Sequence, residues 1–296
     1  MQLGTSTFIW VSPFSSKRPD LFSHAARLGS DVLEICIEEP ALVRPNEIAK
    51  AAAGAGIGVS VCGAFGPSRD LSSEDPEVRL QGLVYLHTCI DIAAAVGSRL
   101  VSGPMYSATG KTRLLTEDAR QRQRDWAADG ISRAADYAAS RGVRLAIEPL
   151  NRYETDLVNT VSQGVDLCEQ VGRENVGLLL DTFHMNIEEK DIAAAIRLGG
   201  DWLLELHACE NDRGTPGTGH VEWGEVFDAV TEIGFDGLIA LEAFTPEIEE
   251  IARAVSMWRP VAASGDALVS EGLRFLRAEL GARGANLSSR PREVSV

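Results

Sequence analysis

Eight short apolar runs, separated by longer segments of helical periodicity, are the feature that most constrains the fold of this chain. The runs are predicted strands at residues 3–9, 32–37, 59–64, 100–106, 144–149, 176–181, 203–209 and 238–244. Strand and helix in strict alternation imply parallel strands joined by right-handed crossovers. Eight such units within 296 residues favour a closed (β/α)8 barrel of one domain. An open dinucleotide-binding sheet is disfavoured, because no GxGxxG follows the first run.

The boundaries of the helical segments are marked by glycine. Gly97 and Gly142 follow two long helical patterns and are predicted to form left-handed C-terminal caps. We expect the barrel to occupy residues 1–281. Residues 282–296 are polar and lack periodicity, so they are predicted to form an exposed or disordered C-terminal tail.

Charge and cysteine content restrict the class of protein. The formal net charge is -15, which argues against a nucleic-acid partner and against docking on an anionic membrane. The N-terminus lacks the basic and apolar regions of a signal peptide, and no apolar stretch approaches the roughly 20 residues of a transmembrane helix. The cysteines are odd in number and show no CxxC spacing, which predicts reduced, buried thiols in a cytoplasmic protein: Cys36, Cys62, Cys89, Cys168 and Cys209.

Four successive predicted strands each carry an ionisable side chain near the C-terminal end. These are Glu148, Asp181, His207 and Glu242, and in a barrel such strand ends meet at one mouth. Any single one can be a helix cap or half of an ion pair, but three carboxylates at one rim repel unless a cation neutralises them. The oxygen-rich set suits Mn²⁺, Mg²⁺ or Co²⁺. Cys209, two residues beyond His207, is interpreted as packing.

This metal site suggests a chemistry. Four protein ligands leave two positions of an octahedral ion for the adjacent oxygens of a hydroxy-ketone. The ion then acts as a Lewis acid and stabilises the enediolate that forms when a proton leaves the neighbouring carbon. Glu148 and Glu242 come from the fifth and eighth runs, so they can approach that carbon from opposite sides. A base on one face and an acid on the other invert the carbon.

Four motifs in the second half of the chain resemble those of the ketose 3-epimerase family. They are "IEPLNRYETDLVNT", "LLLDTFHMNIEE", "HACENDRGTPGTGHVEWGEV" and "LEAF". This family contains the D-tagatose, D-allulose (D-psicose) and L-ribulose 3-epimerases and belongs to the xylose isomerase-like TIM barrels. The resemblance extends over the chain to about Leu280.

The resemblance implies a mechanism and a set of site residues. Glu148, Asp181, His207 and Glu242 would bind Mn²⁺, with Co²⁺ or Mg²⁺ as alternatives, and the two glutamates would transfer protons at C3 through a metal-bound cis-enediolate. Glu154, His184 and Arg213 match the positions that bind the O1–O3 end of the sugar. Implied substrates are free ketoses, namely D-fructose/D-allulose, D-tagatose/D-sorbose or L-ribulose/L-xylulose. The resemblance also implies a homodimer or homotetramer.

Two positions depart from the family pattern near the O4–O6 end of the sugar. Ser6 stands where several members have an aromatic residue in the first strand, and Thr109 stands where they have a tryptophan. These departures affect the preferred ketose and leave the metal ligands unchanged. Phe8, Trp10 and Phe244 are candidate aromatic walls of the pocket.

Other functions remain open at this point. An aldose–ketose isomerase of the hydroxypyruvate isomerase-like type would use the same metal and move a proton between C1 and C2. A retaining glycosidase would use two glutamates but gives Asp181 and His207 no role. A metal-dependent DNA-repair nuclease would require more histidine ligands and a basic face, and a non-catalytic sugar-binding protein would not need paired acids. No basic phosphate cradle is evident near the last two strands, which favours an unphosphorylated substrate.

Overall fold

A computed structural model describes residues 1–287, and its strands form a closed parallel barrel in sequential order. The strands are β1 (Gln2–Ser6), β2 (Val32–Ile37), β3 (Gly58–Gly63), β4 (Leu100–Gly103), β5 (Arg144–Ile147), β6 (Val176–Asp181), β7 (Leu203–Ala208) and β8 (Leu238–Leu241). The barrel closes where β1 pairs with β8, with Gln2 opposite Leu238. The predicted (β/α)8 fold is therefore confirmed.

The helices surround this barrel. They are α1 (Asp20–Leu28), α2 (Pro45–Ala55), α3 (Pro76–Val96), α4 (Glu117–Ala139), α5 (Val161–Val171), α6 (Thr182–Glu188), α7 (Ile192–Gly199), α8 (Trp223–Glu232), α9 (Glu249–Ala254) and α10 (Gly265–Ala282). Gly97 is the left-handed C-cap of α3 with φ of 80°, as predicted. Gly142 also has a positive φ of 68°, but it lies two residues beyond Ser140, which caps α4 in a right-handed conformation. Within residues 1–287, no helix combines the length and apolar composition that crossing a membrane requires.

Several strands end earlier than their apolar runs predict. β4 stops at Gly103, whose φ is 123°, and a Cβ there would lie 2.7 Å from the Gly63 carbonyl oxygen. β1 stops at Ser6, whose hydroxyl accepts the Phe8 N–H at the start of a 3-10 turn. The early ends place Glu148 and Glu242 one residue beyond β5 and β8, in the loops of the barrel mouth.

The inside of the barrel is partly polar, whereas the layer between strands and helices is apolar. Along β2, Leu33, Ile35 and Ile37 belong to the large apolar cluster, and Glu34 between them is fully buried. Glu205 and His207 of β7 are also fully buried. The five cysteines are buried and unpaired, as predicted.

The first residues of the predicted tail lie against the barrel. The Met1 amino group donates to the Asn286 carbonyl at 2.8 Å, and Arg283 Nε donates to Asp228 at 2.6 Å. Ala285 and Leu287 are partly buried against the core. These contacts tie the start of the predicted tail to the barrel, with Arg283, Ala285 and Leu287 partly buried and Gly284 and Asn286 exposed. Residues 288–296 of that predicted tail lie outside the described residues.

Candidate functional site

The carboxyl ends of β5 to β8 bring four predicted ligands into one buried cluster. Potential ligand atoms of Glu148, Asp181, His207 and Glu242 all lie within 4.8 Å of one another. His207 Nδ1 is 3.7 Å from Asp181 Oδ2 and 3.5 Å from Glu242 Oε2. Asp181 also caps α6, because its Oδ1 accepts the Phe183 and His184 N–H groups. That cap fixes the carboxylate and leaves Oδ2 facing the cluster.

Arg213 neutralises part of this cluster. Its Nη1 donates to Asp181 Oδ2 at 2.5 Å and to Glu242 Oε2 at 2.9 Å, with all three side chains buried. Burial raises the pKa of Asp181 and of Glu242, but Arg213 and the buried histidines outweigh that effect, so both carboxyls have a lowered net pKa. Burial, followed by repulsion from Glu242, holds the pKa of Glu148 well above its usual range. Burial lowers the pKa of His207, but the neighbouring Glu34 and Glu242 outweigh it and hold that pKa well above its usual range, so without a bound cation Arg213 and His207 supply the positive charge of the cluster.

The donor set fits a divalent cation. Among residues 1–287, Nδ1 of His207 is buried and has no hydrogen-bond partner, although three carboxylates surround it. Unpartnered buried nitrogen atoms are costly, and a cation held between Nδ1 and the carboxylates removes that cost while it offsets their repulsion. Three oxygen ligands and one imidazole suit Mn²⁺, Co²⁺ or Mg²⁺.

A second pair of carboxylates lies next to the cluster, inside the barrel. Glu34 of β2 and Glu205 of β7 are fully buried, and potential ligand atoms of Glu34, Glu205 and His207 lie within 4.8 Å of one another. Burial, followed by repulsion from Glu34, raises the pKa of Glu205 well above its usual range. Sequence reasoning missed both residues. The available signal was a single acid inside each of the apolar runs "DVLEICI" and "LLELHA".

His184 and Glu154 lie beside the cluster in a hydrogen-bonded arrangement. His184 Nδ1 accepts the Asn151 backbone N–H at 3.2 Å, which assigns the ring proton to Nε2. Nε2 lies 3.7 Å from Glu148 Oε1 and 3.1 Å from Arg213 Nη2. Glu154 Oε1 accepts from the Asn151 side-chain amide at 2.8 Å. Burial lowers the pKa of His184, so its imidazole is neutral.

One cavity of about 580 Å³ unites these side chains. Its lining includes Glu148, Glu242 and the three residues that the sequence resemblance assigned to sugar contacts: Glu154, His184 and Arg213. Phe8 and Phe244 form an apolar wall with ring centroids 5.3 Å apart, and Thr109 is also in the lining.

Trp10, a candidate wall of the pocket, and Ser6, a departure from the family pattern, are not part of this cavity lining. Trp10 lines a different cavity, and its Nε1 donates to Asp266 at 2.9 Å, so its interpretation as a wall of this cavity is wrong. Ser6 is fully buried, and its hydroxyl is 3.3 Å from Cys36 Sγ. The early end of β1 accounts for the position of Trp10, because the 3-10 turn redirects the residues after Ser6.

The loop that carries Arg213 is organised by a carboxylate that the sequence did not reveal. Glu210 is fully buried and accepts four N–H donors: those of the Asn211, Gly217 and Val221 backbone and Trp223 Nε1. Arg213 itself has φ of 64°, an uncommon conformation for a residue with a side chain. The Glu210 contacts therefore fix the loop in the shape that delivers Arg213 to the cluster.

Cys209 also contacts residues of the buried cluster. Its Sγ lies 3.0 Å from Arg213 Nη1 and 3.3 Å from Asp181 Oδ2. Burial raises the pKa of this thiol well above its usual range, so it is neutral. The thiol contacts the site directly and does more than fill space.

Comparisons with known proteins agree with this geometry. Residues 22–279 match the family model described as "Xylose isomerase-like TIM barrel". The chain is 32% identical over 277 residues to a probable ketose 3-epimerase of Synechocystis sp., covering 94% of this chain and 96% of that protein. It is 32% identical over 278 residues to the L-ribulose 3-epimerase of Mesorhizobium japonicum, covering 93% of each.

The fold is also shared with a solved enzyme structure. The D-psicose 3-epimerase of Clostridium cellulolyticum, solved with D-tagatose, superposes with a TM-score of 0.87 at 30% identity. The superposition covers 95% of this chain and 99% of that one.

Proposed function

The chain belongs to the ketose 3-epimerase family of xylose isomerase-like TIM barrels, and we propose that it inverts C3 of a free ketose with a bound divalent cation. Candidate substrate pairs are D-fructose/D-allulose, D-tagatose/D-sorbose and L-ribulose/L-xylulose. The observation that carries the proposal is the buried cluster of Glu148, Asp181, His207 and Glu242 beside the cavity. This arrangement combines a cation site with two carboxylates next to a sugar-sized space.

Glu148, Asp181, His207 and Glu242 would hold Mn²⁺, with Co²⁺ or Mg²⁺ as alternatives. When bound, the cation supplies Lewis-acid stabilisation of the negative charge that develops on the sugar oxygens. The unpartnered Nδ1 of His207 supports this assignment, because no donor or acceptor in the described part of the chain satisfies it.

Glu148 and Glu242 would carry out the proton transfers. One carboxylate takes the C3 proton, the electrons of the C–H bond form a C2=C3 double bond, and the C2 carbonyl electrons move to O2. The other carboxyl group then returns a proton to C3 on the opposite face, which inverts that carbon. Their positions support this division, because Glu148 follows β5, Glu242 follows β8, and both line the same cavity.

His184 and Arg213 would hold the oxygens of the reacting end. With its proton on Nε2, His184 presents a donor only 3.1 Å from Arg213 Nη2, which is also a donor. A sugar oxygen that accepts from both groups relieves this donor-to-donor contact and gains stabilisation as negative charge develops on it. Glu154, in the same lining, can accept from a sugar hydroxyl.

The direct test uses metal-loaded protein in D₂O with D-fructose, D-tagatose and L-ribulose, each with and without EDTA. We expect a second ketose in each productive reaction, deuterium at C3, loss of turnover with EDTA and recovery with Mn²⁺. Product analysis by chromatography and NMR separates this outcome from aldose formation. Deuterium at C1 together with an aldose product contradicts the C3 assignment, and turnover that resists EDTA contradicts the metal role.

A further inference from the structure

Glu38 is a carboxylate in the cavity lining whose hydrogen bonding is incomplete. It follows β2 directly and lines the same cavity as Glu148 and Glu242. One of its oxygens accepts the Ser12 hydroxyl. The other, Oε2, is shielded from solvent and has no hydrogen-bond partner in the structure. An unpartnered carboxylate oxygen is costly, and a donor from a molecule bound in the cavity would remove that cost.

Among residues 1–287, only the Ser12 hydroxyl meets the geometric criteria for a hydrogen bond to Glu38. Burial raises the pKa of Glu38, and the Ser12 hydroxyl and the nearby polar Phe14 backbone offset only part of this effect. Glu39 and Glu250 add negative charge near Glu38 and raise its pKa further. Arg69 shares the cavity lining, but its Nη1 donates to the Ala64 carbonyl and its guanidinium stacks on Tyr85.

The position of Glu38 in the barrel indicates which end of a sugar it meets. In a sequential eight-stranded barrel β2 lies across the mouth from β6, which carries Asp181. The proposed reaction end of the site is built on β5 to β8, so a ketose held there at C1–C3 extends its remaining carbons toward the β2 side. Glu38 therefore lies where the far hydroxyl groups arrive.

We infer that Glu38 is a specificity-determining residue, and that its Oε2 accepts a hydrogen bond from the C5 or C6 hydroxyl of an unphosphorylated ketose. This inference rests on the proposed function. A phosphate at that end would face the charge of Glu38 and of its acidic neighbours, so the same contact selects a free sugar over a sugar phosphate.

Comparing ketoses with different numbers of carbon atoms tests the role of Glu38. Erythrulose has the reacting C1–C3 unit but lacks C5 and C6, so it cannot reach Glu38. We expect Glu38→Ala to lower kcat/KM for D-fructose by about 10- to 100-fold, the usual effect of losing a hydrogen bond to a charged group. Solvent deuterium exchange at C3 of erythrulose, followed by NMR, is expected to stay within about twofold of wild type.

Glu47→Gln is the matched control, because it removes the same charge from the exposed face of α2 and is expected to leave both substrates unaffected. An equal loss for D-fructose and erythrulose, or no loss for either, overturns the inference. Calorimetric binding of D-fructose separates it from the proposed function. If wild type binds D-fructose without converting any ketose, weaker binding by Glu38→Ala upholds the inference and unchanged binding overturns it. Wild type that neither binds nor converts a ketose overturns both.

Discussion

Glu34 Oε2 lies 3.1 Å from His207 Nε2, and both side chains are fully buried inside the barrel. A proton on Nε2 that donates to Glu34 leaves the Nδ1 lone pair directed toward Asp181 and Glu242. A carboxylate that fixes the tautomer and orientation of a ligating histidine strengthens metal binding. Glu34 is thus a positioning residue for the proposed metal site.

This relationship predicts the effect of replacing Glu34. In Glu34→Gln the imidazole loses its charged acceptor, and we expect Mn²⁺ affinity to fall by about 10- to 100-fold in calorimetric titration. Glu205→Gln is the control, because burial and Glu34 already hold Glu205 neutral and an amide replaces a neutral carboxyl. Urea unfolding of both variants establishes that they are folded. Wild-type affinity in Glu34→Gln would remove Glu34 from this role.

Arg213 is expected to stabilise the metal-free protein more than the metal-loaded one. Arg213→Gln leaves Asp181 and Glu242 as buried carboxylates without their cation, which costs about 3–5 kcal/mol of unfolding free energy. Saturating Mn²⁺ should recover part of that loss, because it neutralises the same oxygens. Urea unfolding with and without Mn²⁺ measures both values. Arg197→Gln, which breaks an exposed pair with Glu232, should change stability by less than about 1 kcal/mol in either state.

The ionisation of Glu210 makes the stability of the fold depend on pH. Burial raises the pKa of Glu210, but Trp223 and three backbone N–H groups outweigh it and make the net pKa lower than usual. A lowered pKa in the folded state means that the carboxylate stabilises the fold above the ordinary glutamate pKa of about 4.3, and that this contribution is lost as pH falls through the folded value.

We therefore expect Glu210→Gln to destabilise the protein by about 1–3 kcal/mol at neutral pH, with a smaller difference from wild type in strongly acidic buffer. Thermal unfolding across this pH range measures the difference. Glu222→Gln, an exposed neighbour in the same segment, is the control and should follow wild type throughout. A difference that does not depend on pH would mean that shape, and not charge, gives Glu210 its effect.

Isotope exchange at C3 should distinguish the roles of the two proposed catalytic glutamates. Glu148→Gln and Glu242→Gln are each expected to lower epimerisation at least about 100-fold, because one face of C3 loses its acid–base group. Each variant keeps one carboxylate, so each should still exchange the C3 proton of one epimer with D₂O, and the two variants should prefer opposite epimers. NMR of D-fructose and D-allulose in D₂O tests this. Exchange of both epimers by a single variant would contradict opposite-face transfer.

The sequence by itself determined the barrel and the four strand-end residues of the candidate metal site. Alternating apolar runs and helices permit few arrangements, and parallel strands in a closed barrel end at one mouth. Asp181 and His207 each lie near the C-terminal end of an apolar run. The sequence therefore predicts that the two side chains lie at the same end of the barrel. The same argument predicts that Glu148 and Glu242, which lie one residue beyond β5 and β8, are at that end of the barrel.

Only the tertiary structure decided which acids meet across the barrel and which side chains enter the cavity. Glu34 and His207 are 173 residues apart, and their contact depends on strand register and on which side chains point inward. The position of Trp10 depends on where β1 ends, and the incomplete hydrogen bonding of Glu38 depends on Ser12 reaching only one oxygen. Periodicity along a chain specifies the direction of a side chain relative to its own strand. Partners on distant strands are fixed by barrel closure, which no local pattern encodes.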